Sequence, residues 1–389
     1  MLLLIVIFAT FCFSAFNVMR LITSLDALAH GATTGEVGIL MALITLIPVF
    51  LSMRCGRWID AIGFRKPLVL SSCLILLAGT VPTLFPTADF GLPPLAVSCI
   101  LNGTGNMIFS IVSLYLVGAI APDSKRTAYF AWYSLSWSLS GLVPPVMAGY
   151  IIDLAGHRWA FFSMMLFALA GLLVILGSKK KFSSINLPKR SSSQGGSLRL
   201  LFDPLLGRVL LVSTFISVGW DLQIFMFPIY GHHVGLSASE IGWLVGSFYT
   251  ATLFVRFALP YVSNLVSEWL CLAVALSIIS ISYAAFPLFD HFEPLLVVAF
   301  CIGLGLGAST PNIMSLTQSN APSGRVGEAL GIRTMLANGT HFILPLAYGS
   351  ILSTISVSLL FFISAGMMGA TAILAYLSID RANRQDKNH

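Results

Sequence analysis

The sequence predicts an all-α polytopic membrane protein of twelve transmembrane helices in two pseudo-symmetric six-helix bundles, and three observations carry that prediction. Hydrophobic residues make up 57% of the 389 and charged residues 9%, with a mean hydropathy of +0.91, whereas soluble domains carry about 25% charge. Apolar stretches near the ~20 residues a bilayer demands recur along the whole chain. The later part of each half repeats the other at a nearly constant offset of 200 residues.

The spans fall at about 2–25, 36–55, 67–86, 94–118, 128–152, 159–178, 206–230, 241–260, 269–288, 294–318, 328–352 and 356–379. The first opens at Leu2 without a preceding basic residue and without a convincing cleavage site, so it reads as a retained helix. Basic residues then set the orientation. Arg54, Arg57, Arg65, Lys66, Lys125, Arg126, Lys179 to Lys181, Arg208, Arg325 and Arg381 share one side, and Arg158 stands on the other. Both termini are therefore expected in the cytoplasm of a bacterial inner membrane. The pI of about 9.1 reports this topology and calls for no nucleic-acid partner. All six cysteines lie inside spans or at their ends, with no CxxC and no neighbouring ligand set, which points to packing and to no metal.

Between the sixth and seventh spans, Lys179 to Asp203 holds Lys-Lys-Lys, Pro-Lys-Arg and Ser-Ser-Ser-Gln-Gly-Gly, a composition that cannot build a core. It divides the chain into a bundle at 1–178, a cytoplasmic linker at 179–205 and a second bundle with a short tail at 206–389. Gly103 and Gly105 match Gly303 and Gly305, Pro145 and Gly149 match Pro345 and Gly349, and Phe161-Phe162 matches Phe361-Phe362. Earlier in each half the offset is 204, aligning Glu36-Val37-Gly38 with Glu240-Ile241-Gly242. That register sets Pro260, Asn264 and Ser267 against Gly56, Asp60 and Gly63, so the second copy of this segment has lost its acid.

The segment Gly56-x-x-x-Asp60-x-x-Gly63-x-Arg65-Lys66, read as an eleven-residue loop between the second and third spans, resembles the signature loop of the major facilitator superfamily, with Ala61 in place of the usual basic residue. The resemblance covers essentially the whole chain. It implies two six-helix bundles around one cavity, and a conformational latch of Gly56, Asp60, Gly63, Arg65 and Lys66 in which Asp60 meets the start of the eleventh helix near Val326 to Ala329. In the fifth span, Pro144, Pro145 and Gly149 are similar to the motif of the family's proton antiporters, although Pro144 and Ala148 replace glycines. Pro144, Pro145, Gly149, Pro345 and Gly349 are read as a helix-bending set, and bending and close packing of membrane helices account for them equally. In the fourth span Cys99 stands where the family's drug antiporters usually carry Arg, so a proton relay through that Arg is excluded here.

Ionisable groups inside a bilayer are costly, which makes each a functional candidate. Ser213, Ser217 and Asp221 recur at four-residue steps and give the seventh span one polar face. Asp221 can couple protons, form a fixed ion pair or touch a cationic substrate. His341, midway along the eleventh span, is the second proton-coupling candidate, against an ordinary structural hydrogen bond. The repeat aligns Asn17 with Asp221 and sets Arg20 one turn further along, which makes Arg20 the nearest candidate partner for Asp221 and leaves open whether the two pair. The substrate cavity is expected to be lined by Asn17, Arg20, Asn102, Asn106, Trp137, Trp220, Tyr249, Arg256, Asn312, Arg333 and Asn338. Arg256 has snorkelling as its alternative. The aromatics Trp132, Tyr133, Trp137, Trp220 and Phe225 serve either packing or flat apolar contacts.

Neither a phosphate-binding Gly-x-x-x-x-Gly-Lys loop nor a hydrolase motif is present. The expectation is a monomeric, lipid-embedded carrier without enzyme activity or cofactor, drawing on a proton gradient to move a small organic molecule outward. A surplus of cationic candidates keeps a small anionic metabolite or a carboxylate siderophore open as the cargo.

Overall fold

The computed structural model describes residues 2–120, 126–177, 203, 206–262, 266–321, 326–352 and 355–386. The expected linker at 179–205 lies almost wholly outside them. Among the described residues, twelve long helices follow one another and no strand occurs. They are α1 (Leu2–Ala29), α2 (Thr34–Ile62), α3 (Arg65–Leu84), α4 (Pro93–Ile120), α5 (Arg126–Ala155), α6 (His157–Gly177), α7 (Leu206–His233), α8 (Ala238–Val262), α9 (Glu268–Ala285), α10 (Phe292–Ser319), α11 (Val326–Leu352) and α12 (Val357–Asp386), with a one-turn helix at Thr87–Phe90 between α3 and α4. Eleven of them hold stretches long and apolar enough to cross a membrane, and α11 adds 27 residues at its expected place.

The chief departure from the sequence reading falls at Gly56 to Lys66. It is not an eleven-residue loop: α2 runs on to Ile62, and only Gly63 and Phe64 separate it from α3. No residue before Gly63 forbids helix. Gly63 ends it at φ +79°, a left-handed angle that side chains resist, and its amide donates to the Ile59 carbonyl. Arg65 and Lys66 are exposed. The side chains of Asp60 and of residues 326–328 lie outside the described residues, and the expected latch with them; so does Asn264.

The register read from the sequence recurs in three dimensions. At the head of α2, Glu36 accepts from the Thr33 amide at 2.7 Å while the Thr33 hydroxyl accepts from the Glu36 amide at 3.3 Å. At the head of α8, Ser237 and Glu240 repeat this capping box at 2.8 and 3.3 Å. Gly103 lies hard against the Ile44 carbonyl, and its repeat partner Gly303 lies against the Phe248 carbonyl. At each of these positions a Cβ would strike backbone, so only glycine allows the helices to approach.

The chain groups into two compact units. One comprises Met1–Arg190, Ile224–Gly246 and Pro345–Ser353, the other Ser191–Gln223, Ser247–Leu344 and Thr354–His389. In the first, α1 packs on α4, α5 and α6, and α3 on α4 and α6; in the second, α9 packs on α10 and α12.

Candidate functional site

In the second unit, Leu206 and Leu210 of α7 form a buried cluster with Ala329 and Ile332 of α11. This apolar seam lays the two helices side by side. Beyond it two polar contacts follow in step. The Arg333 Nε donates to the Ser213 hydroxyl at 2.9 Å, and the His341 Nδ1 lies 2.6 Å from each Asp221 carboxylate oxygen. Both contacts join residues 120 apart in sequence, so α7 and α11 run parallel there. Asp221 is only 2% exposed, while the imidazole it meets is 36% exposed. The carboxylate is thus shut away from solvent, and the imidazole is the face of the pair that a proton can reach.

The sequence named Asp221 and His341 separately; the structure brings them together. Within its own unit the Asp221 carboxylate is met by His341, because α7 and α11 share one face in register. Arg333 is half-buried, and no carboxylate among the described residues pairs with it. Elsewhere in this unit Trp220 packs edge-on against Phe248 at 5.2 Å and near Tyr249. Tyr249 is fully buried, and the Asn312 amide turns back to donate to the Ala308 carbonyl of its own helix. Arg256 and Asn338 are half-buried.

In the first unit the Asn17 amide donates to the Ser140 hydroxyl at 3.0 Å, and that hydroxyl donates to the Trp137 carbonyl at 2.8 Å. The repeat register held the signal for this pairing, since it aligns Asn17 with Asp221 and sets Ser140 one residue short of the position of His341. Trp137 stands edge-on to Phe13 at 4.9 Å, whereas Trp132 is 59% exposed on the outer face. The Arg20 guanidinium lies 5.6 Å over the Phe16 ring. Asn102 is fully buried with neither amide atom hydrogen-bonded, and the Asn106 carbonyl oxygen is likewise unpartnered.

Helices α5 and α11 continue unbroken through Pro144, Pro145 and Pro345. The glycines that follow serve close packing: Gly149 lies against the backbone of Ala238 and Ser239, and Gly349 against that of Thr34 and Gly35.

A duplicated array of membrane-length helices, with a carboxylate–imidazole pair in one half and an amide–hydroxyl pair in the other, is the build of a polytopic membrane carrier. The chain belongs to the major facilitator superfamily: the profile of that family matches residues 2–209 and again residues 209–389. It is a multi-pass membrane transporter. It is 25% identical over 370 residues to the uncharacterized MFS-type transporter YuxJ of Bacillus subtilis, covering 92% of this chain and 91% of that protein. To the quinolone resistance protein NorA of Staphylococcus aureus it is 22% identical over 338 residues, 82% of each chain. To the vesicular acetylcholine transporter of Rattus norvegicus it is 24% identical over 288 residues, 70% of this chain; the chain spans about half, 52%, of the length of that relative. A D-xylose-proton symporter superposes with a TM-score of 0.73 at 14% identity over 96% of both chains, a likeness of fold alone.

Proposed function

We propose that this transporter exports a small organic molecule by alternating access and that the Asp221–His341 pair loads and releases the coupling proton. The 2.6 Å contact carries the reading. With one proton between them, the two groups form either an ion pair or a neutral hydrogen bond, and both arrangements are electrically neutral overall. The carboxylate is buried while the imidazole is partly exposed, so the ring is the route by which a proton passes to and from the pair. NorA, whose name assigns it to quinolone resistance, lends the outward direction its support. The basic residues favour a cytoplasmic location for the Gly63 turn and for both termini, in a bacterial inner membrane.

The test is proton movement. Liposomes holding the purified full-length protein and an internal pH dye receive a substrate found by thermal-shift screening. Wild type is expected to move protons against the substrate, and Asp221→Asn to move the substrate without them. A wild-type proton signal from Asp221→Asn overturns the assignment.

Arg333 favours a second reading of the cargo. A half-buried guanidinium whose partner is a hydroxyl keeps charge to offer an anion. If an acid is carried, Arg333→Gln weakens binding of acids far more than of neutral analogues; equal losses exclude this reading.

A further inference from the structure

At the end of the first unit opposite the Gly63 turn, the start of α8 is capped by a side chain from another helix. A helix leaves its first backbone amides without partners of its own. In α8 the Ser237 hydroxyl takes the Glu240 amide at 3.3 Å, and the Ile241 amide is the first to reach back along the helix, donating to the Ser237 carbonyl at 3.1 Å. The Ala238 and Ser239 amides remain. They donate to the two carboxylate oxygens of Asp153, near the end of α5, at 3.0 and 2.8 Å. The contact also sets a negative charge on the positive end of the α8 dipole.

Beside this cap the two helices form a close seam. The Trp243 indole donates to the Tyr150 hydroxyl at 3.1 Å. Gly149 lies against the backbone of Ala238 and Ser239, Gly242 against the Pro145 carbonyl, and Gly246 against Val146 and the Leu142 carbonyl. All of these residues fall in the first unit, although α5 and α8 come from opposite halves of the sequence. The matching seam of the duplicated frame joins α11 to α2, with Gly349 against Thr34 and Gly35, and Gly38 against the Pro345 carbonyl. There the repeat sets Ser353 in the place of Asp153, so the acid is particular to the α5–α8 seam.

We infer that Asp153 is a reversible clasp, which holds the α5–α8 seam shut and lets go when this end of the protein opens. This role rests on the alternating access proposed above, in which the two halves of the chain part at one end at a time. Asp153 is exposed, and Tyr150 and Trp243 are 47% and 43% exposed, so water can replace each contact as the seam parts. A carboxylate at an exposed helix start shifts an equilibrium by only about twofold to fivefold. That is enough to bias the seam towards closure and too little to lock it. Opening hands the Ala238 and Ser239 amides to water, whereas the Glu240 amide keeps its cap within α8. The first turn of α8 therefore reports the state of the seam amide by amide.

Two readouts on the full-length protein in lipid nanodiscs test the clasp. In hydrogen exchange, Asp153→Ala should speed exchange at Ala238 and Ser239 about threefold to fivefold and leave Glu240 unchanged. Val146→Cys, seven residues before Asp153 and packed against Gly246, reads the seam itself through its rate of reaction with a water-soluble maleimide, followed at that residue by mass spectrometry. Adding Asp153→Ala should raise that rate about threefold. Asp153→Asn, which keeps an acceptor and loses the charge, should fall between, and it carries the test should Asp153→Ala not fold. Asp89→Asn, which removes an exposed acid at the same end, should change nothing. Measurable labelling of Val146→Cys that neither Asp153 variant alters, or exchange at Ala238 and Ser239 that neither alters, would overturn the clasp and leave alternating access standing. Labelling absent from every variant would overturn the opening of this seam, and the transport reading with it.

Discussion

In the first half of the chain Asn17 donates to Ser140, and in the second Asp221 meets His341. The two contacts occupy corresponding places in a duplicated frame, between the first and fifth helices of their halves, yet one joins an amide to a hydroxyl and the other a carboxylate to an imidazole. An amide–hydroxyl bond has the same charge at every pH and every stage of a transport cycle. A carboxylate–imidazole pair changes charge by one with each proton gained or lost. The difference teaches that one duplicated scaffold carries a fixed polar contact in one copy and a contact between two ionisable side chains in the other. The packing around the two sites, Gly103 on Ile44 and Gly303 on Phe248, stayed common to both.

Breaking the pair from one side should have the largest effect on stability. His341→Ala leaves Asp221 buried without its partner, and about 2–3 kcal/mol of unfolding free energy should be lost, short of the ~3–5 of a fully buried pair because water reaches the imidazole. Detergent-solubilised protein in a denaturant titration reports it, and the matching Ser140→Ala should cost only about 1 kcal/mol. Next come Gly103→Val and Gly303→Val, which push branched side chains into backbone and should each cost about 1–3 kcal/mol. Equal losses would sharpen the view of one shared frame; a loss confined to one half would break it. The smallest shift belongs to Asp221→Asn combined with His341→Ser, which rewrites the second site in the chemistry of the first. Stability should change by less than about 1 kcal/mol, because both partners become neutral together.

The legibility of this arrangement in the sequence followed the reach of each interaction. Helix number depends on composition, and the repeat offset paired Glu36 with Glu240 and Gly103 with Gly303 without showing that the acids close capping boxes or that the glycines meet backbone. The end of α2 was misjudged because charged residues suggested a loop, whereas helix needs only the absence of a breaker before Gly63. Asp221 and His341 were each visible as rare ionisable groups in apolar spans. Their pairing depends on the relative rotation of α7 and α11, which no local pattern records. The unpartnered amide of Asn102 is likewise visible only once α1, α2 and α4 are packed around it.

The measurement that bears most directly on the division between the halves is transport by Asp221→Asn and Asn17→Ala in matched proteoliposomes, scored as gradient-driven flux and as substrate exchange without a gradient. Asp221→Asn should lose driven flux and retain exchange, while Asn17→Ala should lower both in proportion. Driven flux surviving in Asp221→Asn, or vanishing selectively in Asn17→Ala, would contradict the assignment of proton coupling to the second half.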